Sequence, residues 1–231
     1  MSHLFDPQDA PVVAQDGHLP LVPPERFTYA ALAQRFATPP IWQPDVIGDR
    51  VLPDGPKVDA SVLVPLVMRG DEPSVLLTQR QPHLKAHAGQ ISFPGGRSEP
   101  TDEDAVYTAL REAQEEVGLD PDRVRILGTL PFYNTISGFR VTPVVGVINA
   151  FEHEAQQLSL RPDPGEVADV FEVPLAFLMN PRHHQRRSVP IAGLSAEFYA
   201  MPWTPPGAQR EYFIWGATAA MLRNLYRFLS A

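Results

Sequence analysis

Three glutamates in one short segment are the side chains of this sequence best suited to chemistry. The segment, residues 111–118, reads Arg-Glu-Ala-Gln-Glu-Glu-Val-Gly. On a helix, Glu112, Glu115 and Glu116 project within about 100° of one another and form one acidic flank. Mutual repulsion and the negative C-terminal end of the helix dipole disfavour each acid by about 0.3–1 kcal/mol. A divalent cation would offset that cost, and ligation by oxygen alone suits Mg²⁺ or Mn²⁺.

The surroundings of this segment favour a binding site over a plain acidic surface. The bare spacing of the glutamates is also compatible with a solvated helix face, and that alternative stays open. Arg111 precedes Glu115 by four residues, so it can orient that carboxylate. The turn at Gly95 and Gly96 brings backbone close to the helix. Three side chains able to bind anions lie just upstream: His83, Lys85 and His87.

The acidic segment ends a helix whose boundaries are well marked. We predict Thr101 as the N-cap, with Asp104 three residues later, and Gly118 as the C-terminal stop. At about 100° per residue, one face of this helix is apolar. That face comprises Val106, Ala109, Leu110, Ala113 and Val117. The helix should therefore pack on the rest of the protein through that face.

Short apolar runs on both sides of the helix predict a mixed sheet. Residues 60–68 and 74–80 are separated by a turn-like segment, which indicates a hairpin. Further strands are predicted at 90–93, 123–130, 140–148, 167–173, 193–203 and 211–215. A short helix near 175–179 and an amphipathic closing helix at 216–229 complete the pattern. The predicted fold class is α/β (α+β), a mixed sheet with helices on its faces.

The N-terminal part of the chain differs in composition from the rest. Ten of the 26 prolines fall within the first 56 residues. We therefore predict an extension over residues 1–55, followed by a domain over residues 56–231. Within the extension, Thr28 can cap a short helix over 29–36, which Pro39 and Pro40 end. Its apolar side is expected to pack on the main domain or on a partner.

Composition excludes several classes of protein. The chain has no cysteine and a net charge of −8. This excludes disulfides and thiolate chemistry and argues against a large nucleic-acid interface. No apolar run approaches the roughly 20 residues of a membrane span, and the first residues lack the features of a secretory signal. We expect a cytoplasmic protein with no membrane or nucleic-acid partner. A homodimer is possible, although the sequence offers no argument for it.

The helix and the loop before it resemble the Nudix box, G-x5-E-x7-R-E-U-x-E-E-x-G-U, in which U is aliphatic. The matching positions are Glu103, Arg111, Glu112, Ala113, Glu115, Glu116, Gly118 and Leu119. The first box glycine would fall on Arg97, whereas the glycines here are Gly95 and Gly96. The loop is therefore one residue longer than the general pattern.

The longer loop is shared by a Nudix subgroup that this chain resembles more closely, the coenzyme A pyrophosphatases. Gln81 stands where the upstream signature of the subgroup has Ser or Ala, and Lys85 stands where it has Arg. Lysine lacks the bidentate fork of arginine, so phosphate recognition at Lys85 is expected to differ. The resemblance runs from about residue 59 to residue 229. The positions that match the upstream signature are Leu76, Leu77, Thr78, Arg80, Gly89, Phe93, Pro94, Gly95 and Gly96.

This resemblance implies a mixed β-sheet sandwiched between helices and an enzyme that depends on Mg²⁺ or Mn²⁺. The substrate would be coenzyme A or a derivative, cut at the pyrophosphate to 3′,5′-ADP and 4′-phosphopantetheine or its acyl form. The metal ligands would be Glu112, Glu115, Glu116 and the carbonyl of Gly96. The general base would be Glu166, in the loop before a strand, or alternatively a box glutamate such as Glu115, oriented by Arg111. Phosphate contacts would come from Arg80, His83, Lys85 and His87.

Two other functions stay open. The same fold could act on ADP-ribose, a dinucleoside polyphosphate or another nucleotide sugar. Alternatively, the chain could be a noncatalytic nucleotide sensor, although a pure binder has no need of three repelling glutamates beside an intact Arg111. Outside the acidic helix, the basic run at residues 182–187 is expected to be a solvated loop or helix end, and Phe93 to be core packing.

Overall fold

The computed structural model describes residues 6–49, 57–70, 72–84, 87–149, 158–191 and 194–231. Lys85, one of the predicted phosphate-binding residues, lies outside these ranges. The strands, in chain order, are β1 Val12–Gln15, β2 Val58–Met68, β3 Ser74–Arg80, β4 Ile91–Ser92, β5 Gly95–Arg97, β6 Val124–Thr129, β7 Tyr133–Asn134, β8 Phe139–Asn149, β9 Val167–Pro174, β10 Gln185–Ile191, β11 Leu194–Trp203 and β12 Tyr212–Trp215. The helices are α1 Tyr29–Ala37, α2 Ala105–Val117, α3 Leu175–Leu178 and α4 Gly216–Ser230. No helix in the described ranges is long and apolar enough to cross a membrane.

The strands form a larger mixed sheet and a smaller antiparallel one. The larger sheet has the order β4-β3-β2-β8-β6, with β9 paired to β3, β5 to β2 and β7 to β8. Strands β2 and β8 are parallel, whereas the other pairs of this sheet are antiparallel. The predicted hairpin is confirmed, since Leu66 pairs with Val75 across β2 and β3. The smaller sheet has the order β1-β10-β11-β12.

The larger sheet is covered on both faces, as the sequence predicts. Side chains of a strand alternate between its two faces. On β2, Leu63 and Val67 join a cluster with the apolar face of α2, and Val64 and Leu66 join the main core with α4. The sheet is therefore sandwiched between α2 and α4.

The acidic helix α2 begins later than predicted. Its N-cap is Asp104, whose side chain accepts a hydrogen bond from the Tyr107 amide at 2.7 Å; the prediction of Thr101 is wrong. The preceding residues form a separate turn, in which the Asp102 amide donates to the Glu99 carbonyl at 3.0 Å. This turn keeps Thr101 out of the helix. The predicted C-terminal stop is confirmed, because Gly118 adopts a left-handed φ of 68°.

Residues 6–49 pack against the C-terminal helix. Thr28 caps α1 as predicted, and Leu32 is fully buried in the main core. The Asn224 side chain of α4 holds Val46 by both backbone groups, accepting from its amide at 3.1 Å and donating to its carbonyl at 2.6 Å. Arg223 of α4, buried in the same region, pairs with Asp45 at 2.8 Å. The N-terminal segment thus shares the core of α4.

The prediction of a solvated loop or helix end for the basic run at residues 182–187 holds for its start, where Arg182 is exposed, but is wrong from His184 onward. Pro181–His183 is a short 3-10 turn, and residues 185–191 form β10. His184 is fully buried, and its two ring nitrogens lie 2.7 Å from the Leu178 carbonyl and 3.0 Å from an Arg223 nitrogen. Pairing of β10 with both β1 and β11 draws this run into the smaller sheet.

Candidate active site

The three helix glutamates share a flank but differ sharply in depth. Glu116 is buried, with 6% of its side chain exposed, and Glu112 is mostly buried at 17%. Glu115 is 61% exposed. Because each acid keeps its charge more easily in water than in the protein interior, the three carboxylates are not equivalent.

Arg111 connects two of these carboxylates. Its Nη1 donates to Glu112 Oε1 at 3.0 Å and to Glu115 Oε2 at 3.2 Å. The second contact confirms the predicted pairing of Arg111 with Glu115. Nη2 also donates to the Arg97 carbonyl at 3.1 Å, which ties the helix to the end of β5. Arg111 therefore orients two acids and offsets part of their repulsion.

Asp102 is a residue that the sequence analysis missed. Its carboxylate accepts Arg111 Nε and Nη2 at 3.0 Å each, a bidentate pair, and also the Thr108 hydroxyl at 2.9 Å. The side chain is 2% exposed, whereas Glu103, which matches the acidic position of the box, is exposed. These bonds hold the pKa of Asp102 well below its ordinary value and raise that of Arg111. Counted forward from Gly96 instead of backward from Arg111, the box spacing falls on Asp102. The extra residue in the loop was therefore the sequence signal that could have identified Asp102 as the acidic residue of the box.

The glycine turn at β5 lies directly against the acidic helix. The Gly95 amide donates to Glu116 Oε2 at 3.2 Å. At Gly96, an added Cβ would come within 2.6 Å of the Glu112 carboxyl carbon and of both its oxygens. The absence of a side chain at Gly96 is what lets the Glu112 carboxylate lie beside the backbone.

Arg80, at the end of β3, and Glu166, just before β9, lie beside the acidic helix at Glu116. Arg80, the last residue of β3, places Nη1 3.2 Å from Glu116 Oε1 and Nη2 3.6 Å from Glu166 Oε2. Glu166 precedes β9 and is half exposed. The Asp163 amide, in the same loop, donates to the Glu116 carbonyl at 2.9 Å, so this loop is attached to the end of α2. Three segments distant in sequence therefore meet at Glu116.

The upstream histidines are less closely tied to the site. His83 and His87 are both exposed. His87 has a left-handed φ of 55°, and its Nδ1 lies 2.8 Å from Gln90 Oε1. Among the predicted phosphate-binding residues that the structure describes, Arg80 is the one paired with the glutamates. Phe93 is buried in the main core, which confirms its predicted packing role.

Burial makes Glu116 the most unusual acid of the cluster. Loss of hydration raises its pKa to about 7, and the nearby charges of Glu112 and Glu166 add to the rise. The Gly95 amide and Arg80 oppose this rise only in part. Burial likewise raises the pKa of Glu112. A cation near these carboxylates would stabilise their charged forms.

The donor chemistry of the cluster fits Mg²⁺ or Mn²⁺. Glu112, Glu116 and Glu166 interact electrostatically with one another, and all are hard oxygen donors. Within the part of the chain that the structure describes, no three acidic or histidine side chains already converge as a complete metal site. Arg111 and Arg80 are paired with the carboxylates instead. Binding of a metal would therefore require these pairs to adjust.

A family model and curated relatives give the same family. The model described as NUDIX domain matches residues 57–193. The chain is 40% identical over 166 residues to the uncharacterized Nudix hydrolase NudL of Escherichia coli K12, an alignment that covers 72% of this chain and 80% of that protein. NudL of Salmonella paratyphi B is 42% identical over the same shares. Among solved structures, a binary complex of the Caenorhabditis elegans Ap4A hydrolase aligns with a TM-score of 0.40 and 22% identity, over 51% of this chain and 80% of that one.

Proposed function

The chain belongs to the Nudix family and is a pyrophosphohydrolase, and on that premise we propose that it hydrolyses coenzyme A and its derivatives. The products are 3′,5′-ADP and 4′-phosphopantetheine, or the acylated form of the latter. The bond that is cut is the phosphoric anhydride between the two halves of the substrate.

One contact carries this proposal: Arg80 lies 3.2 Å from Glu116. Arg80 matches a position of the coenzyme A pyrophosphatase signature that this chain resembles, and Glu116 is part of the Nudix box. The two motifs are thus parts of one site. A guanidinium beside an acidic cluster can bind a phosphate oxygen while the cluster binds the counter-cation.

We assign Glu112, Glu115, Glu116 and the Gly96 carbonyl as the ligands of Mg²⁺ or Mn²⁺. When bound, such a cation neutralises pyrophosphate oxygens and lowers the pKa of water. Arg111 keeps Glu112 and Glu115 in orientation, and Asp102 in turn fixes the Arg111 guanidinium. Gly96 leaves space for the carboxylate next to it.

We assign Glu166 as the general base that takes the proton of the attacking water. It is half exposed and stands outside the box helix, so water can reach it. Glu115 is the alternative base, but it is also assigned to the metal ligands, and its ion pair with Arg111, at 3.2 Å, is shorter than the 3.6 Å pair of Glu166 with Arg80. We assign Arg80, beside both Glu116 and Glu166, to bind the pyrophosphate. We also assign His83, Lys85 and His87 as further phosphate contacts.

A chromatographic assay tests this function. Purified protein is incubated with coenzyme A, ADP-ribose and a dinucleoside polyphosphate, each with Mg²⁺, with Mn²⁺ and with a chelator. We expect metal-dependent release of 3′,5′-ADP from coenzyme A. Preferred turnover of another substrate would refute the substrate assignment, and the absence of turnover with all three would favour a nucleotide sensor.

A single substitution tests the metal assignment separately. Glu116→Gln keeps the shape of the side chain and removes its charge. We expect it to abolish turnover nearly completely while the circular dichroism spectrum stays that of the wild type, and to weaken Mn²⁺ binding in a calorimetric titration. Unchanged turnover would exclude Glu116 from the metal set.

A further inference from the structure

Gln81 makes an unusual set of hydrogen bonds with the loop that carries Glu166. It directly follows Arg80 at the end of β3. Its side-chain Nε2 donates to the Pro164 carbonyl at 3.0 Å and to the Val167 carbonyl at 3.2 Å. Its backbone amide donates to the carbonyl of Glu166 itself at 2.8 Å. The side chain of Gln81 therefore binds the backbone before Glu166, at Pro164, and directly after it, at Val167.

The loop is anchored at its start by other groups. The Asp163 amide donates to the Glu116 carbonyl, and the Asp163 carbonyl accepts the amides of Glu166 and Val167 at 3.1 and 2.8 Å. These bonds fix the turn, and the pairing of Val167 with Arg80 attaches its far end to β3. The backbone amide and side chain of Gln81 extend that attachment to Glu166 and Pro164, which lie before the paired strand.

Burial does not hold the Glu166 carboxylate in place. The side chain is half exposed, and its ion pair with Arg80 is long, at 3.6 Å. An exposed pair of this kind restrains a side chain weakly. The position of the carboxylate therefore depends on how well the backbone of Glu166 is fixed.

We infer that Gln81 is a positioning residue for Glu166, an inference that rests on the proposed role of Glu166 as the base. A carboxamide is suited to this task because its nitrogen has two hydrogens, one for each carbonyl. Serine or alanine, which the subgroup signature has here, is too short to reach both carbonyls. Gln79, two residues earlier in β3, donates to the Gly89 carbonyl at 3.1 Å instead.

Gln81→Ala tests the inference through a split between kcat and KM. Misplacement of a catalytic group by about 1 Å can cost about a hundredfold in rate, so we expect kcat to fall by about tenfold to a hundredfold. KM should change little, because Arg80 is retained. Gln114→Ala, an exposed glutamine of α2, is the matched control and should behave as wild type. Gln81→Asn, whose amide is one methylene shorter, replaces Gln81→Ala if that variant fails to fold.

A double-mutant cycle shows whether Gln81 acts through Glu166. If it does, Gln81→Ala will lower kcat in the wild-type background and have no further effect in Glu166→Gln. Equal effects in both backgrounds, or wild-type kcat in Gln81→Ala, would overturn the inference while Glu166 stays the base. Wild-type turnover by Glu166→Gln would overturn the base assignment, and the inference with it.

Discussion

Substitution of Gly96 by alanine should disable the site without unfolding the protein. An alanine Cβ at this position would lie 2.6 Å from the carboxyl carbon and both oxygens of Glu112. Ordinary van der Waals contact between such atoms begins at about 3.5 Å, so the Glu112 carboxylate must move away from residue 96 by roughly 1 Å. The atoms that must move are the end of a flexible side chain, and the backbone of Gly96 lies outside the left-handed region. The free energy of unfolding should therefore change by less than about 1 kcal/mol.

The same displacement is large on the scale of catalysis. The Glu112 carboxylate accepts Arg111 Nη1 at 3.0 Å, and a retreat of this size breaks or redirects that bond. Displacement of a catalytic group by about 1 Å can cost about a hundredfold in rate. We expect kcat of Gly96→Ala to fall by about that factor, and Mn²⁺ to bind more weakly.

The assay compares Gly96→Ala with Gly17→Ala. At Gly17 the nearest atom to an added Cβ is Arg182 Cγ at 3.3 Å, a side-chain atom that can move slightly, and this position is not part of the site. Initial rates with coenzyme A, thermal melts and Mn²⁺ titrations are measured for both variants and the wild type. Wild-type turnover by Gly96→Ala would refute the claim that close approach of Gly96 to Glu112 matters. Unfolding of Gly96→Ala would show that the clash reaches the backbone.

Two further predictions concern other groups. Asp102→Asn removes the charge that holds the Arg111 guanidinium, so it should lower both the melting temperature and kcat. The control Glu103→Gln, at an exposed position, should alter neither. If thermal melts and initial rates show the larger loss in Glu103→Gln, Glu103 and not Asp102 is the partner of Arg111. Burial lowers the pKa of His184 from 6.5 to about 4, so the unfolded chain binds a proton that the folded protein does not as the pH falls from 6.5 to about 4. His184 should therefore cost the folded protein nothing above pH 6.5, and the free energy of unfolding should fall by about 3 kcal/mol between pH 6.5 and about 4. Urea unfolding at several pH values should show that this free energy depends less on pH in His184→Gln than in the wild type. An equal dependence in the two proteins would contradict this account.

The main layers of the fold follow from local patterns in the sequence. The helix α2 repeats apolar residues at helical spacing and ends at a glycine, so its face and its stop were both predictable. The β2–β3 hairpin was predictable because two β-branched runs flank a short turn. Both signals are contained within about 20 residues of chain, where spacing and structure are tightly related.

Features that depend on distant contacts could not be predicted in this way. His184 lies in a run of basic residues that is typical of a solvated loop, yet Arg223, 39 residues later, lies 3.0 Å from its ring. Arg223 is itself buried and pairs with Asp16 at 3.2 Å and Asp45 at 2.8 Å. Each of these charges is tolerated inside the protein because the others are present. No local pattern encodes such a group, since its four members, Asp16, Asp45, His184 and Arg223, are far apart in the sequence.

The acidic flank shows why helical periodicity alone is insufficient at the site. Periodicity gives the angle of each side chain around α2 but not how deeply it is buried. On that basis, Glu112, Glu115 and Glu116 should all bear the same electrostatic repulsion. The depth of each carboxylate depends on what covers it, and the glycine turn and β3 cover Glu116 far more than Glu115. The electrostatic cost therefore falls mainly on Glu116, whose pKa rises to about 7, whereas water and Arg111 solvate Glu115. A cation would therefore offset the largest electrostatic cost at Glu116, the most buried carboxylate of the flank. Glu116 lies between the Gly95 turn and Arg80, where the two sequence motifs meet.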